Sequence, residues 1–315
     1  MELEILQNTY NKNFFNALNK VEQKIPPIWF MRQAGRYHQH YRKLKEKYSF
    51  EQLCKEPELA CEVTLGPIVE FDFDAAILFS DILFPLDYLG MSLKFNPGPI
   101  FEKNLSSKMI SEFNIDEFES FIDFQNISLK YIRNELSNHK SLIGFTGGPV
   151  TLYHFATRNN PVSQTLFQQT LPVLEMLIQK NIQIQLQNDI DLLMIFDTEA
   201  NKLNDKDFDE FVIPFLVKIS NSYPNKIGYF TKEISQTKFN KLQNLKNLKL
   251  TVLGTNLEVF TELPKTHLSL QGNFSNDLLA MEDTKSFSDY IDKYIEECLQ
   301  SESSHRSGWI ASLDH

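Results

Sequence analysis

Short apolar segments, separated by polar turn residues, recur along the whole chain. Each is apolar at consecutive positions rather than at alternate ones, which is typical of strands buried on both faces of a parallel sheet. Eight strands are therefore predicted: Ile28–Arg32, Ala75–Asp81, Leu142–Thr146, Asp191–Asp197, Lys226–Thr231, Leu248–Gly254, Leu268–Gln271 and Trp309–Leu313.

Between these segments the apolar positions follow a helical period, most clearly at Pro161–Asn188 and Phe287–Leu299. Eight repeats of strand and helix predict an α/β protein with a single (β/α)8 TIM-type barrel. We expect one domain over residues 1–315, with residues 1–25 as an N-terminal extension. Residues 84–111 contain three prolines and are predicted to form a loop inserted over the active face.

The eighth helix is apparently missing, because only two residues follow the last predicted strand. We expect the outer faces of strands eight and one to lack cover, unless another segment such as Leu3–Val21 lies over that seam. A chain ending at His315 is then expected to be poorly stable or weakly active.

Charge and composition exclude several classes of protein. The net charge of −10 argues against binding to nucleic acid or an anionic membrane surface, since both require a basic face. No run of 18 apolar residues occurs, and Met1–Thr9 contains acidic residues, so we expect an unexported, cytoplasmic protein. Three scattered cysteines predict neither a disulfide framework nor a metal site.

Arginine is concentrated in one place. Three of the six arginines, Arg32, Arg36 and Arg42, fall within eleven residues, whereas the 25 lysines are spread over the chain. If the chain is helical here, Arg32 and Arg36 project from one face, and each guanidinium can hold a carboxylate through two hydrogen bonds. This favours a site for a polyanion, with structural arginines bonded to backbone carbonyls as the alternative.

Two further segments place polar groups at the carboxyl ends of strands, where barrels of this type carry their chemistry. Asp81 ends an apolar strand and is either a functional acceptor at the barrel mouth or the N-cap of a helix. The glycine-rich turn Gly144–Thr151 offers backbone N–H groups to an anion, although no Walker or dinucleotide pattern is present.

Taken together, these segments resemble the uroporphyrinogen decarboxylases. The resemblance is strongest in Pro27–Tyr37 (PIWFMRQAGRY) and Ala75–Leu83 (AAILFSDIL), with weaker similarity at Gly144–Thr151, Leu270–Asn273 and Gly308–His315. It implies a (β/α)8 homodimer that removes carbon dioxide from the four acetate side chains of uroporphyrinogen III. The product implied is coproporphyrinogen III, formed without a metal or an organic cofactor.

The resemblance also implies residue roles. An acetate on a pyrrole has no electron sink, so the ring must be protonated before carbon dioxide leaves. Asp81 would accept hydrogen bonds from the pyrrole N–H groups and balance that charge, while Arg32 and Arg36 would hold substrate carboxylates. Arg32 is also a candidate proton donor, which makes Asp81 and Arg32 the expected catalytic residues. The other substrate-binding positions implied are Gln33, Ala34, Gly35, Phe79, Phe155, Thr198 and His315.

Several positions depart from the family pattern. Phe155 stands where the family has tyrosine, Thr198 where it has serine, and Asn256 where it has aspartate. Two alternatives therefore stay open: a degenerate relative that binds a tetrapyrrole without turnover, and a corrinoid methyltransferase of the same fold. The second binds zinc through His and Cys, and no His-x-Cys pair occurs in this chain.

Overall fold

A curled parallel sheet is the central feature of the computed structural model, which describes residues 12–157, 164–252, 265–272, 274–275, 283–301 and 306–313. The strands within these residues are β1 Ala75–Ile77, β2 Leu93–Phe95, β3 Pro99–Phe101, β4 Ser141–Gly147, β5 Leu192–Phe196, β6 Ile227–Phe230, β7 Leu248–Val252, β8 Ser269–Gln271 and β9 Trp309–Ile310. Seven of them form the sheet in the order β1, β4, β5, β6, β7, β8, β9, and β2 and β3 form a separate antiparallel pair.

The sheet closes on itself through Ile28. This residue forms a parallel bridge with Ala311, next to β9. The N–H of Trp29 donates to the carbonyl of Ala311 (3.1 Å), and the N–H of Asp74, just before β1, donates to the carbonyl of Ile28 (3.0 Å). The chain around Ile28 therefore joins the two edges of the sheet, and the predicted α/β barrel-like fold is confirmed. The first predicted strand is reduced to this single bridge, because the chain leaves the sheet after Trp29.

The other predicted strands coincide with observed ones, and several are shorter than predicted. The strand from Ala75 ends at Ile77 rather than Asp81. Its next N–H, of Leu78, still donates to the carbonyl of Ile143 on β4, at 3.0 Å. The N–H of Phe79, however, donates to the side-chain hydroxyl of Thr64 (2.9 Å), so the chain turns away from the sheet.

Helices surround the sheet. They are α1 Asn13–Leu18, α2 Gln39–Lys45, α3 Phe50–Lys55, α4 Pro57–Phe71, α5 Phe84–Leu86, α6 Ser107–Ser111, α7 Phe118–Glu135, α8 Pro149–Thr157, α9 Gln164–Gln185, α10 Asp205–Asp207, α11 Ile213–Ser222, α12 Gln236–Gln243 and α13 Thr284–Gln300. The two clearest helical patterns correspond to α9 and α13. No helix among the described residues is long and apolar enough to cross a membrane.

Residues 84–111 form short elements where an irregular loop was expected. The segment contains α5, a single π-helical turn at Asp87–Met91, the hairpin of β2 and β3, and α6. The carboxylate of Asp87 accepts a hydrogen bond from the N–H of Leu93 (2.8 Å), which fixes the start of the hairpin. Gly90, at φ +92°, supplies the left-handed conformation with which the chain turns between α5 and β2.

Helix α1 covers the amino-terminal ends of the strands. Its carbonyl at Ala17 accepts a hydrogen bond from the hydroxyl of Ser269, at the start of β8 (3.0 Å). The side chain of Asn13 donates to Asp74, just before β1 (2.9 Å). The ring of Phe14 packs edge-on against Trp29, with centroids 5.6 Å apart. This helix closes the bottom of the barrel rather than its outer wall.

The outer wall of the barrel is covered at β9 but exposed at the neighbouring Ile28. Trp309 of β9 is buried, 1% exposed, and interacts with Tyr294 of α13. Ile28 is 43% exposed. The expectation that the eighth predicted strand, β9, lacks cover is therefore wrong, because α13 packs over it. The side chain of Ile28, in the first predicted strand, does face solvent.

Candidate active site

A cleft of about 500 Å³ opens at the carboxyl ends of the strands. Its wall is mainly aromatic and aliphatic, and its polar side chains are few. Six phenylalanines line it among the described residues: Phe50, Phe79, Phe145, Phe155, Phe196 and Phe230. The polar side chains along the same wall are those of Arg32, Gln33, Thr64, Ser80, Asp81 and Thr198. Such a composition is typical of a small-molecule site, in which a few polar groups fix the orientation of the ligand.

Seven of the ten predicted site residues line this cleft: Arg32, Gln33, Ala34, Phe79, Asp81, Phe155 and Thr198. Gly35 and Arg36 lie on the same loop but are not part of the wall. His315 lies outside the described residues, as does Asn256. The structure thus brings together segments that are as much as 166 positions apart in sequence, from Arg32 to Thr198.

The arginine-containing loop is not helical. Helix α2 begins only at Gln39, so the predicted helical face carrying Arg32 and Arg36 is wrong. The side chain of Gln33 donates to the carbonyl of Ala75 (2.6 Å), and the hydroxyl of Tyr37 donates to the backbone carbonyl of Gln33. These two bonds hold the loop against β1 in an irregular turn, which is incompatible with a helix.

The three clustered arginines have different surroundings. Arg42 donates to the backbone carbonyls of Arg36 and Tyr37, each at 2.9 Å, and so braces the loop. The side chains of Arg32 and Arg36 are exposed and make no hydrogen bond or ion pair with the described residues. The structural role that was the alternative for the pair therefore belongs to Arg42. No described residue occupies the guanidinium donors of Arg32 and Arg36.

Asp81 begins a turn but is not the N-cap of a helix, because the N-cap of α5 is Leu83. Its Oδ1 accepts a hydrogen bond from the N–H of Leu83 at 2.8 Å and so starts the turn before α5. Its other oxygen has no hydrogen-bond partner among the described residues. Burial raises the pKa of this carboxyl to about 6, and the Leu83 bond opposes the rise. At neutral pH the cleft therefore contains a carboxylate with one oxygen available to a donor.

The glycine-rich turn at the start of α8 already holds an anion from the chain itself. Asp197 follows β5 and is fully buried, and its Oδ1 accepts the N–H of Thr151 at 2.7 Å. A Cβ on Gly148 would lie 2.2 Å from the Asp197 side chain, so only glycine fits there. The hypothesis that this turn receives an external anion is therefore wrong. In the sequence Asp197 lies at a strand end, as Asp81 does. No feature of the sequence indicated that Asp197 would bond to the glycine-rich turn.

Two further residues of the wall are Ser80, which was expected at a strand end but not as a substrate contact, and Phe50, which was not expected at all. Ser80 is adjacent to Asp81 in the most family-like segment, which was a usable signal. Phe50 begins α3, far from any strand end, and carried none. Its ring lies 5.6 Å from that of Phe79, so α3 contributes to the wall only through tertiary packing.

Comparison with known proteins gives consistent results. The family profile described as "Uroporphyrinogen decarboxylase (URO-D)" matches residues 9–315. A protein of Geotalea daltonii named uroporphyrinogen decarboxylase is 31% identical, and the alignment covers 97% of this chain and 93% of that protein. Another of that name, from Ruthia magnifica, is 37% identical over 73% of this chain and 70% of its own length.

Among solved structures, a methyltransferase from Methanosarcina mazei superposes with a TM-score of 0.73, covering 96% of this chain and 92% of that one. The two chains are only 15% identical in sequence. This likeness therefore shows a shared fold and carries no information on the reaction.

Proposed function

We propose that this chain, which belongs to the uroporphyrinogen decarboxylase family and is a carboxy-lyase, converts uroporphyrinogen III to coproporphyrinogen III by removing carbon dioxide from its four acetate side chains. The observation that carries the proposal is Asp81. It supplies a carboxylate oxygen that has no hydrogen-bond partner among the described residues, in a cleft whose wall is mainly apolar. A porphyrinogen presents several pyrrole N–H donors, and one carboxylate is the acceptor that suits them.

The reaction requires a positive charge on the pyrrole that is to lose its acetate. Protonation of the ring creates that charge, the carbon–carbon bond to the carboxylate then breaks, and its electrons return to the ring. A second proton, delivered to the exocyclic carbon, forms the methyl group, and the ring then releases the first proton, which restores the neutral pyrrole. Asp81 stabilises the charged ring electrostatically, and an apolar wall strengthens this interaction because little water competes with it.

Arginine side chains meet the other requirement of the substrate, its many carboxylates. Arg32 lines the same cleft as Asp81, and Arg36 lies on the same loop outside its wall. Each charged hydrogen bond to a carboxylate contributes about 1.5–3 kcal/mol. We assign Arg32 to a carboxylate next to the reacting ring, where it is also the candidate proton donor, and Arg36 to a carboxylate at the rim. Gln33, Ala34, Gly35, Phe79 and Thr198 complete the proposed contacts, with His315 implied by the resemblance alone.

A second candidate function is binding of a tetrapyrrole without turnover. It is favoured by Phe155, which lines the cleft with an apolar ring where the family has a hydroxyl. The methyltransferase alternative is not favoured, because the matching family profile and the two relatives described above carry the name uroporphyrinogen decarboxylase. A single domain, a cytoplasmic homodimer and independence from cofactors stay predictions of the sequence.

Anaerobic incubation with uroporphyrinogen III tests the proposal. We expect successive loss of four carboxyl groups, measured by chromatography of the products after oxidation to porphyrins. Binding of uroporphyrinogen without any product would support the non-catalytic relative. Absence of both binding and product would refute the decarboxylase proposal.

A further inference from the structure

A chain of buried amide side chains connects the cleft to the interior of the barrel wall. Ser80 lines the cleft beside Asp81, and its Oγ accepts a hydrogen bond from Nε2 of Gln125 on α7 at 2.8 Å. Gln125 is 1% exposed, and its own Oε1 accepts from Nε2 of Gln185 at the end of α9 (3.2 Å). Gln185 is completely buried. None of these amides reaches solvent.

The backbone of Phe145 fixes the orientation of the Gln185 side-chain amide. Its N–H donates to Oε1 of Gln185 (2.9 Å), and its carbonyl accepts from Nε2 of Gln185 (2.7 Å). A backbone N–H can only donate and a carbonyl can only accept, so the Gln185 amide has one possible orientation. Its Nε2 has two hydrogens and faces three acceptors: the Phe145 carbonyl, Oδ1 of Asn181 (2.8 Å) and Oε1 of Gln125 (3.2 Å). Gln185 therefore presents a donor nitrogen to Gln125, which places the Gln125 oxygen toward Gln185 and its Nε2 toward Ser80.

The hydroxyl proton of Ser80 is left over by this arrangement. Because the oxygen receives the Gln125 hydrogen bond, the proton points to a different acceptor. Among the described residues no such acceptor is found for Ser80. The Ser80 oxygen lies in the wall of the cleft, so its proton is available to whatever the cleft contains.

We propose that Ser80 donates a hydrogen bond to a carboxylate of the bound substrate, and that Gln125 is the positioning residue that holds the hydroxyl in the donor orientation. The inference rests on the proposed function, since a porphyrinogen supplies the carboxylate. A purely structural role explains Gln185, whose amide is hydrogen-bonded to both the N–H and the carbonyl of Phe145. It does not explain Gln125, whose Nε2 donates to Ser80.

A double-mutant cycle tests the proposal. Ser80→Ala removes the donor, and Gln125→Met removes its support while keeping a side chain of similar length. We expect each single substitution to raise KM about tenfold with kcat little changed, the loss of roughly one charged hydrogen bond. We expect the double variant to be no worse than Ser80→Ala, because Gln125 acts only through Ser80. Ser80→Thr, which keeps a hydroxyl, should restore most of the affinity.

Asn181→Ala is the matched control. Asn181 is a buried amide of the same network that accepts from Nε2 of Gln185 at 2.8 Å, and among the described residues it bonds to neither Ser80 nor Gln125. Its loss should lower Tm as the loss of Gln125 does, with KM unchanged. An unchanged KM in Gln125→Met, or KM effects that multiply in the double variant, would overturn the inference.

Two outcomes separate this inference from the proposed function. If the wild-type protein decarboxylates uroporphyrinogen III but Ser80→Ala has the wild-type KM, only the inference fails. If the wild-type protein turns over no substrate, the same variants are compared by their Kd for coproporphyrinogen III under anaerobic conditions. Absence of any porphyrinogen binding by the wild-type protein refutes both. Should Gln125→Met not fold, Gln125→Leu replaces it, since leucine also lacks the donor and is uncharged in the buried site.

Discussion

Asp81 and Asp197 both lie beyond the carboxyl ends of parallel strands and have opposite hydrogen-bond surroundings. Each follows a parallel strand, β1 or β5, and burial raises the pKa of each to about 6. Asp197 is surrounded by donors, including the N–H of Thr151 at 2.7 Å and the hydroxyl of Tyr229 at 3.2 Å. Asp81 has the N–H of Leu83. The neighbouring groups, and not the residue type or its position on the fold, decide which carboxylate remains available to a ligand.

The comparison has a chemical consequence. A carboxylate whose oxygens are already hydrogen-bonded stabilises the structure around it and has little capacity left for a substrate. A carboxylate that is buried but poorly satisfied costs stability in the free protein, and a substrate with N–H donors repays that cost on binding. Variants of the two aspartates should therefore separate activity from stability.

The largest expected effect is that of Asp81→Asn on turnover. The substitution removes the charge that balances the protonated pyrrole, so we expect kcat/KM for uroporphyrinogen III to fall by about 10²–10³-fold, as for loss of a principal electrostatic group. Tm should stay the same or rise, because the buried charge is lost. Asp292→Asn, on the exposed face of α13, is the matched control, and its kcat/KM and Tm should equal those of the wild type. A rate near that of the wild type in Asp81→Asn would refute the mechanism.

The converse is expected of Asp197→Ala. This variant leaves the N–H of Thr151 and the hydroxyl of Tyr229 without their acceptor, and we expect the free energy of unfolding to fall by about 2–4 kcal/mol. Denaturant titration measures the loss. If Asp197→Ala proved as stable as the wild type, with turnover abolished, the roles assigned to the two aspartates would have to be exchanged.

The pH dependence should show activity and stability changing in opposite directions. Catalysis needs ionised Asp81, so kcat/KM should decline as the pH falls below about 6. Both carboxyls have raised pKa values, so between about pH 4 and 6 the folded protein binds more protons than the unfolded chain. The free energy of unfolding should therefore decrease as the pH rises through this range. The decrease should be shallower in Asp81→Asn, and an identical curve would show that Asp81 is not buried in solution.

The smallest effect contrasts a free arginine with a satisfied one. Arg36→Lys keeps the charge but loses the planar fork, so we expect KM to rise several-fold with little change in Tm. Arg42→Lys should instead lower Tm slightly without changing KM, because Arg42 donates to the carbonyls of Arg36 and Tyr37. Steady-state kinetics and thermal unfolding of the two variants decide the matter. A reversed pattern would return Arg36 to a structural role.

Much of the site could be predicted because it follows from short-range features. Continuous apolar runs mark buried parallel strands, and the carboxyl ends of such strands meet at one face of a barrel. Arg32 and Asp81 end predicted strands and Thr198 follows one, so their convergence needed no knowledge of side-chain packing. The segment from Pro27 to Tyr37 added the family resemblance, and the comparisons confirm it.

Other features depend on contacts between distant residues. The helical face expected for Arg32 and Arg36 is absent because Gln33 and Tyr37 form bonds that compete with helical ones. The anion expected at the glycine-rich turn is Asp197, 46 positions from Thr151. Helix α13 covers Trp309 although it precedes that strand. No local pattern encodes any of these pairings.

The sequence by itself therefore determined the class of fold, the order of its strands and which polar residues stand at their ends, because these follow from periodicity and from residues close together in the chain. Only the tertiary structure decided which of those polar groups are satisfied by the protein and which remain for a ligand. Hydrogen-bond partners such as Asp197 and Tyr229, or Ser80 and Gln125, are brought together by folding, and each pairing depends on the positions of two elements at once.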